Sequence, residues 1–136
     1  MTVLGVDWGR ARVGVAVSDE TERFARPLAT VRAPSRAGAA EEVARLGAGE
    51  DVRIIVVGLP LNMDGTEGSS ALSARAFAKV AAAASGRTVE MWDERLSSWE
   101  GVRLSREGGR RKVVDKDQAA ACVILQSYLD ARRNKT

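Results

Sequence analysis

A chain of 136 residues, 45% apolar and 29% charged, fits one compact domain spanning residues 1–136 and is too apolar for wholesale disorder. It has no histidine and one cysteine, Cys122, which rules out Ser-His-Asp and Cys-His catalysis, an internal disulfide and most zinc sites. Net charge is +3 and no apolar run approaches the ~18 residues that span a bilayer, so the expectation is a cytoplasmic protein without a membrane partner.

Residues 3–8 and 13–17 are Val-rich runs separated by Gly9-Arg10-Ala11-Arg12, a spacing that suits a β-hairpin. A weaker third strand is expected within 24–32, with Pro27 near its start or at an edge. Residues 36–48 predict a helix ending at Gly47 or Gly49. Residues 52–58 are the most apolar run and predict a buried central strand. A turn-rich segment, 62–68, leads to a helix from Ser70 with Leu72, Ala76, Phe77, Val80, Ala81 and Ala84 at helical spacing, closed by Gly86. Residues 88–92 predict a fifth strand. Ser97 and Glu100 have capping-box spacing for a short helix broken by Gly108-Gly109. A last helix from about Asp115 carries Ala121, Leu125, Tyr128 and Leu129 on one face. Three antiparallel strands followed by alternating helix and strand predict an α/β fold, a mixed five-stranded sheet with helices on both faces.

Three acids stand where chemistry could occur. Asp7 interrupts an apolar strand, where an unpaired buried charge costs several kcal/mol; it serves a function or begins a turn. Asp93 and Glu94 follow the fifth strand directly, and ligands of open α/β sheets gather beyond the carboxyl ends of strands. Arg95 can neutralise one of the two. Asp117 lies in the first turn of the last helix, where an acid also complements the helix dipole, and Asp115 with Gln118 resembles a capping pair. Carboxylate oxygens are the donors that Mg²⁺ prefers, and two such ions about 3.5–4 Å apart can activate water and stabilise the leaving oxygen in phosphoryl transfer. Arg103, Arg106, Arg110, Arg111, Lys112 and Lys116 face only Glu107 and Asp115 in their stretch, which suits a polyanion as well as a solvated surface. Trp8, Trp92 and Trp99 suit the core better than base stacking.

The strings GVDWGRARVGVAVSD, VVGLPLNMDGTEG, WDERLSS and DKDQAAACVILQSYLD resemble the four motif blocks of the YqgF/RuvX family, and together they run from Gly5 to Asp130. The resemblance implies a ribonuclease H-like fold related to Holliday-junction resolvases of the RuvC type. It also implies a nuclease that matures the 5′ end of pre-16S rRNA. By it, Asp7, Glu94 and Asp117 are the catalytic and metal-holding acids, for Mg²⁺ or Mn²⁺ and two ions. Asn62 and Arg95 match motif positions that support substrate or site geometry. Arg10, Arg12, Arg110, Arg111, Lys112 and Lys116 are expected to position the nucleic acid. Ala11 stands where many relatives carry a lysine.

The partners implied are structured RNA or branched DNA, with ribosome precursors among them, and a monomer and a homodimer both remain open. A Holliday-junction resolvase and a non-catalytic binding module in ribosome assembly or transcription are the alternatives. An actin-like ATPase needs two related domains, for which 136 residues are too few.

Overall fold

The computed structural model describes residues 2–97 and 115–134. Its elements are β1 (Thr2–Trp8), β2 (Val13–Ser18), β3 (Ala25–Val31), α1 (Arg36–Gly49), β4 (Val52–Leu59), α2 (Ser69–Ser85), β5 (Thr88–Asp93), a 3₁₀ turn (Glu94–Leu96) and α3 (Lys116–Arg133). The predicted order is found, and the sheet runs β3-β2-β1-β4-β5. β2 pairs antiparallel with β1 and β3, whereas β1 with β4 and β4 with β5 are parallel.

Alternation along the strands builds a core on each face. Leu4, Val6, Val13, Val15, Val17, Ile55 and Val57 point one way and meet α1 and α2 through Ala40, Val43, Phe77 and Ala81. Val3, Ala16, Ile54 and Val56 point the other way, against Cys122, Leu125, Tyr128 and Leu129 of α3. Each large side chain fully buried in this way contributes about 1.5–3 kcal/mol. The tryptophans join these cores. Trp8 stacks on Phe77 at 4.4 Å, and Trp92 packs edge-on to Tyr128 at 5.5 Å. Their ring nitrogens donate to Ser73 and Ser127. Trp99 lies outside the described residues.

One expectation is met and one is corrected. α1 ends at Gly49, one of the two glycines expected to close it; it runs through Gly47, which is buried against Val52, and the positive φ of 50° falls at Asp51. The buried stripe of α2 is Ala71, Ala74, Phe77, Ala78 and Ala81, and Leu72 is 61% exposed. The Trp8–Phe77 stack fixes the rotation of α2 and turns Leu72 outward. Gly86, with φ 68°, closes α2 as its sequence suggests. The chain leaves β5 through the 3₁₀ turn capped by Asp93; the helix expected to open at Ser97–Glu100 lies, beyond Ser97, outside the described residues. Among the described residues no helix is long and apolar enough to cross a membrane.

Candidate active site

Asp7 lies near the carboxyl end of β1, directly opposite Gly14 of β2, on the face covered by α3. Space for a carboxylate exists there because neighbouring strands carry glycine. A Cβ on Gly14 would sit 1.9 Å from the Asp117 backbone oxygen, and one on Gly58 would sit 2.6 Å from both Glu94 Oε1 and Ile124 Cδ1. The first turns of α3 therefore press against the sheet, and Glu94 folds back over Gly58.

The Asp7 and Glu94 carboxyls come within hydrogen-bonding reach of each other. Such a bond needs a proton on one of the two groups. Burial raises the Asp7 pKa, and the Asp117 charge raises it further against the lowering effect of the bond to Glu94. Glu94 is pushed up to about 7, first by burial and then by the charges of Asp7 and Asp93. Both line a cleft of about 260 Å³ with Ser97, Ala120, Val123 and Ile124. Among the described residues neither acid has an ion-pair partner.

Asp117 stands in the first turn of α3, close enough for its charge to act on Asp7, but its carboxylate pairs with Arg12 Nε at 3.0 Å. Among the described residues no three acids form a group poised to hold a metal ion. The structure thus joins two of the three predicted acids and turns the third toward an arginine. The donor set still fits a hard divalent cation. Two carboxyl groups in a half-dry cleft, with a proton where a counter-charge would serve, are all-oxygen ligands of the kind Mg²⁺ and Mn²⁺ take.

The other acids nearby are committed elsewhere. Asp93 accepts from Arg95 Nη2 at 2.8 Å and from the Arg95 backbone N–H at 2.9 Å, and its pKa is lowered by these bonds. Asp115 caps α3, accepting from the Gln118 N–H at 2.8 Å and from the Thr30 hydroxyl. Arg95 also reaches the Met63 carbonyl at 3.4 Å, which ties the end of β5 to the loop after β4. In that loop Asn62 is internally bonded: its side-chain amide donates to Thr66 Oγ1 at 2.9 Å, and its carbonyl accepts from the Gly65 N–H at 2.9 Å. Arg10 is exposed on the β1–β2 turn and Lys116 is exposed at the start of α3. Arg110, Arg111 and Lys112 lie outside the described residues. Sequence reasoning missed Ser97 as part of the site. Its hydroxyl oxygen is buried in the cleft wall without a hydrogen-bond partner among the described residues, and its only signal was its position three residues after Glu94.

Comparison with known proteins shows a family and a fold. The RuvX family, described as Holliday junction resolvase, matches residues 1–131. A protein of Anaeromyxobacter sp. strain Fw109-5, provisionally named pre-16S rRNA nuclease, is 48% identical over 97% of this chain and 98% of its own. One of Chloroflexus aggregans with the same provisional name is 46% identical over 98% of this chain and 96% of its own. Among solved structures, T. thermophilus RuvC in complex with a Holliday junction substrate superposes with a TM-score of 0.67 at 17% identity, covering 100% of this chain and 98% of that one. The fold is ribonuclease H-like, as the family resemblance implied.

Proposed function

The chain belongs to the RuvX family, and from that membership we propose that it is a metal-dependent nuclease hydrolysing phosphodiester bonds, with pre-16S rRNA as its substrate. The observation that carries the reading is the Asp7–Glu94 carboxyl pair at the carboxyl end of the parallel strands, with Asp117 alongside. A binding module without chemistry has no need to hold two acids together in a cleft against their mutual repulsion.

In this reading Asp7, Glu94 and Asp117 are the ligands of Mg²⁺ or Mn²⁺. Bound there, the ion supplies Lewis-acid stabilisation of the phosphate oxygens and makes water acidic enough to attack. The chain's own residues do the rest. Asp7 and Glu94 would hold the cation as ionised carboxylates, the proton that they share in its absence passing to solvent. Arg12 beside Asp117 and Lys116 at the start of α3 meet phosphates at the site, where Arg12 exchanges Asp117 for the substrate, and Arg10 meets the strand farther along, from the turn it shares with Arg12. Arg95 and Asn62 hold the loop after β4 and the end of β5 in fixed relation, so that the carboxylates stay aligned. Arg110, Arg111 and Lys112 add positive charge to the same polyanion.

A second reading, resolution of four-way DNA junctions, is favoured by the description of the family and by the likeness of fold to RuvC. Side-by-side cleavage of a pre-16S rRNA fragment and a four-way DNA junction separates the two. Cutting of the RNA alone supports rRNA maturation, and cutting of the junction alone overturns it.

A further inference from the structure

The turn that carries Arg12 toward Asp117 carries Arg10 to the other face of the sheet. There Arg10 lines a second pocket of about 340 Å³, whose walls also include Trp8, Val13, Ser35, Arg36 and Ala39. Its character differs from that of the acidic cleft. Two guanidinium groups from separate elements line it, no carboxylate does among the described residues, and the first turn of α1 holds no acidic residue. Neither Arg10 nor Arg36 is paired with a carboxylate among the described residues, so both guanidinium groups are open to an anion in the pocket. The floor is rigid. Trp8 is locked by its stack on Phe77 and by its 2.9 Å bond to Ser73, and Ser35 caps α1 through the Gly38 N–H.

Arg36 is also badly placed for stability. A cation in the first turn of a helix opposes the helix dipole, so its place in the pocket is not explained by folding. Asp7 and Arg10 are three residues apart, at most about 11 Å of chain. A strand that presents one phosphate to Asp7 and crosses this edge of the sheet brings a phosphate within a few nucleotides to Arg10 and Arg36.

We propose that the pocket between the β1–β2 turn and the start of α1 is a subsite for a phosphodiester flanking the scissile one, held by Arg10 and Arg36. The inference rests on the nucleic-acid reading of the acidic cleft and names where the rest of the strand runs.

The test is binding, read by fluorescence anisotropy in EDTA with a labelled pre-16S rRNA fragment over a salt series, for wild type, Arg36→Gln and Arg36→Lys. Arg36→Gln is expected to bind about tenfold more weakly, as for loss of a charge-assisted phosphate contact. Its log–log salt slope should fall by about 0.7, and Arg36→Lys should keep the slope. The melting temperature of Arg36→Gln should not fall, which a structural role for Arg36 would require. Wild-type affinity and slope in Arg36→Gln overturn the subsite, as does wild-type protein that fails to bind the RNA. Because EDTA removes cutting from the readout, the two claims fail separately. Wild type that binds but never cuts with Mg²⁺ or Mn²⁺ defeats the nuclease, while the Arg36→Gln slope still decides the subsite.

Discussion

The β-carbon that Gly14 lacks would fall 1.9 Å from the backbone oxygen of Asp117. That gap sets how closely the first turn of α3 lies on the sheet, and so how near Asp117 comes to Asp7. The obstacle is backbone rather than a flexible side chain, so Gly14→Ala must push the helix start outward. Overpacking of this kind costs about 1–3 kcal/mol, and misplacing a catalytic group by about 1 Å can cost 100-fold in rate. Urea unfolding should show a folded, moderately destabilised protein whose cleavage rate falls by about two orders of magnitude. Near-normal cleavage would show that the position of Asp117 does not matter.

The Arg12–Asp117 ion pair is half exposed on the arginine side, so its removal should change stability by no more than about 1 kcal/mol. Its removal also frees the third acid. Arg12→Gln is therefore expected to bind Mn²⁺ more tightly than wild type in the absence of nucleic acid, as measured by isothermal titration. Asp117→Asn should bind it more weakly. Equal affinities in all three proteins would mean that Asp117 is not a ligand.

Stability should depend on pH through the acid pair. Glu94 has its pKa pushed from an ordinary 4.5 to about 7 by burial and by the charges of Asp7 and Asp93. A carboxyl whose folded pKa is raised adds stability while protonated. That contribution is complete below 4.5 and is lost as pH rises to about 7. Glu94→Gln cannot ionise, so its melting temperature should gain on wild type across this window and exceed it above pH 7. The difference between the two proteins isolates this group from carboxyls such as Asp93, whose bonds to Arg95 lower its pKa. A gap that does not change with pH would contradict the shared proton.

A cation that binds the folded protein alone raises its stability by mass action, about 2.7 kcal/mol at a hundredfold excess over Kd. Thermal melts with excess Mn²⁺ should shift upward in wild type, return with EDTA and stay unmoved in Asp7→Asn. A shift of equal size in Asp7→Asn would place the ion elsewhere.

The sheet was readable because its strands alternate or are buried on both faces, as VGVAV and VRIIVVG show by their valines. Gly86 and Asp115 were readable because a left-handed residue and a helix cap leave local chemical signatures. What escaped depends on contacts between distant parts of the chain. Leu72 has good helical spacing, but the Trp8–Phe77 stack sets which side of α2 is buried. Gly14 looks like filler in an apolar strand until Asp117 is seen beneath it. Asp7, Glu94 and Asp117 were singled out by position and family resemblance, yet nothing local indicates that Asp117 turns to Arg12. Arg36 reads as an ordinary surface residue of a helix, and only the fold brings it beside Arg10.

The proposed nuclease depends on Asp7 holding the metal that activates the attack on a phosphodiester bond. The most direct measurement is cleavage of an end-labelled pre-16S rRNA fragment by wild type and Asp7→Asn, each with Mg²⁺, with Mn²⁺ and with EDTA. Wild type should cut with either metal and not in EDTA, and Asp7→Asn should lose at least about 100-fold while still folded. Cutting that survives in EDTA, or that proceeds at the wild-type rate in Asp7→Asn, would contradict that dependence.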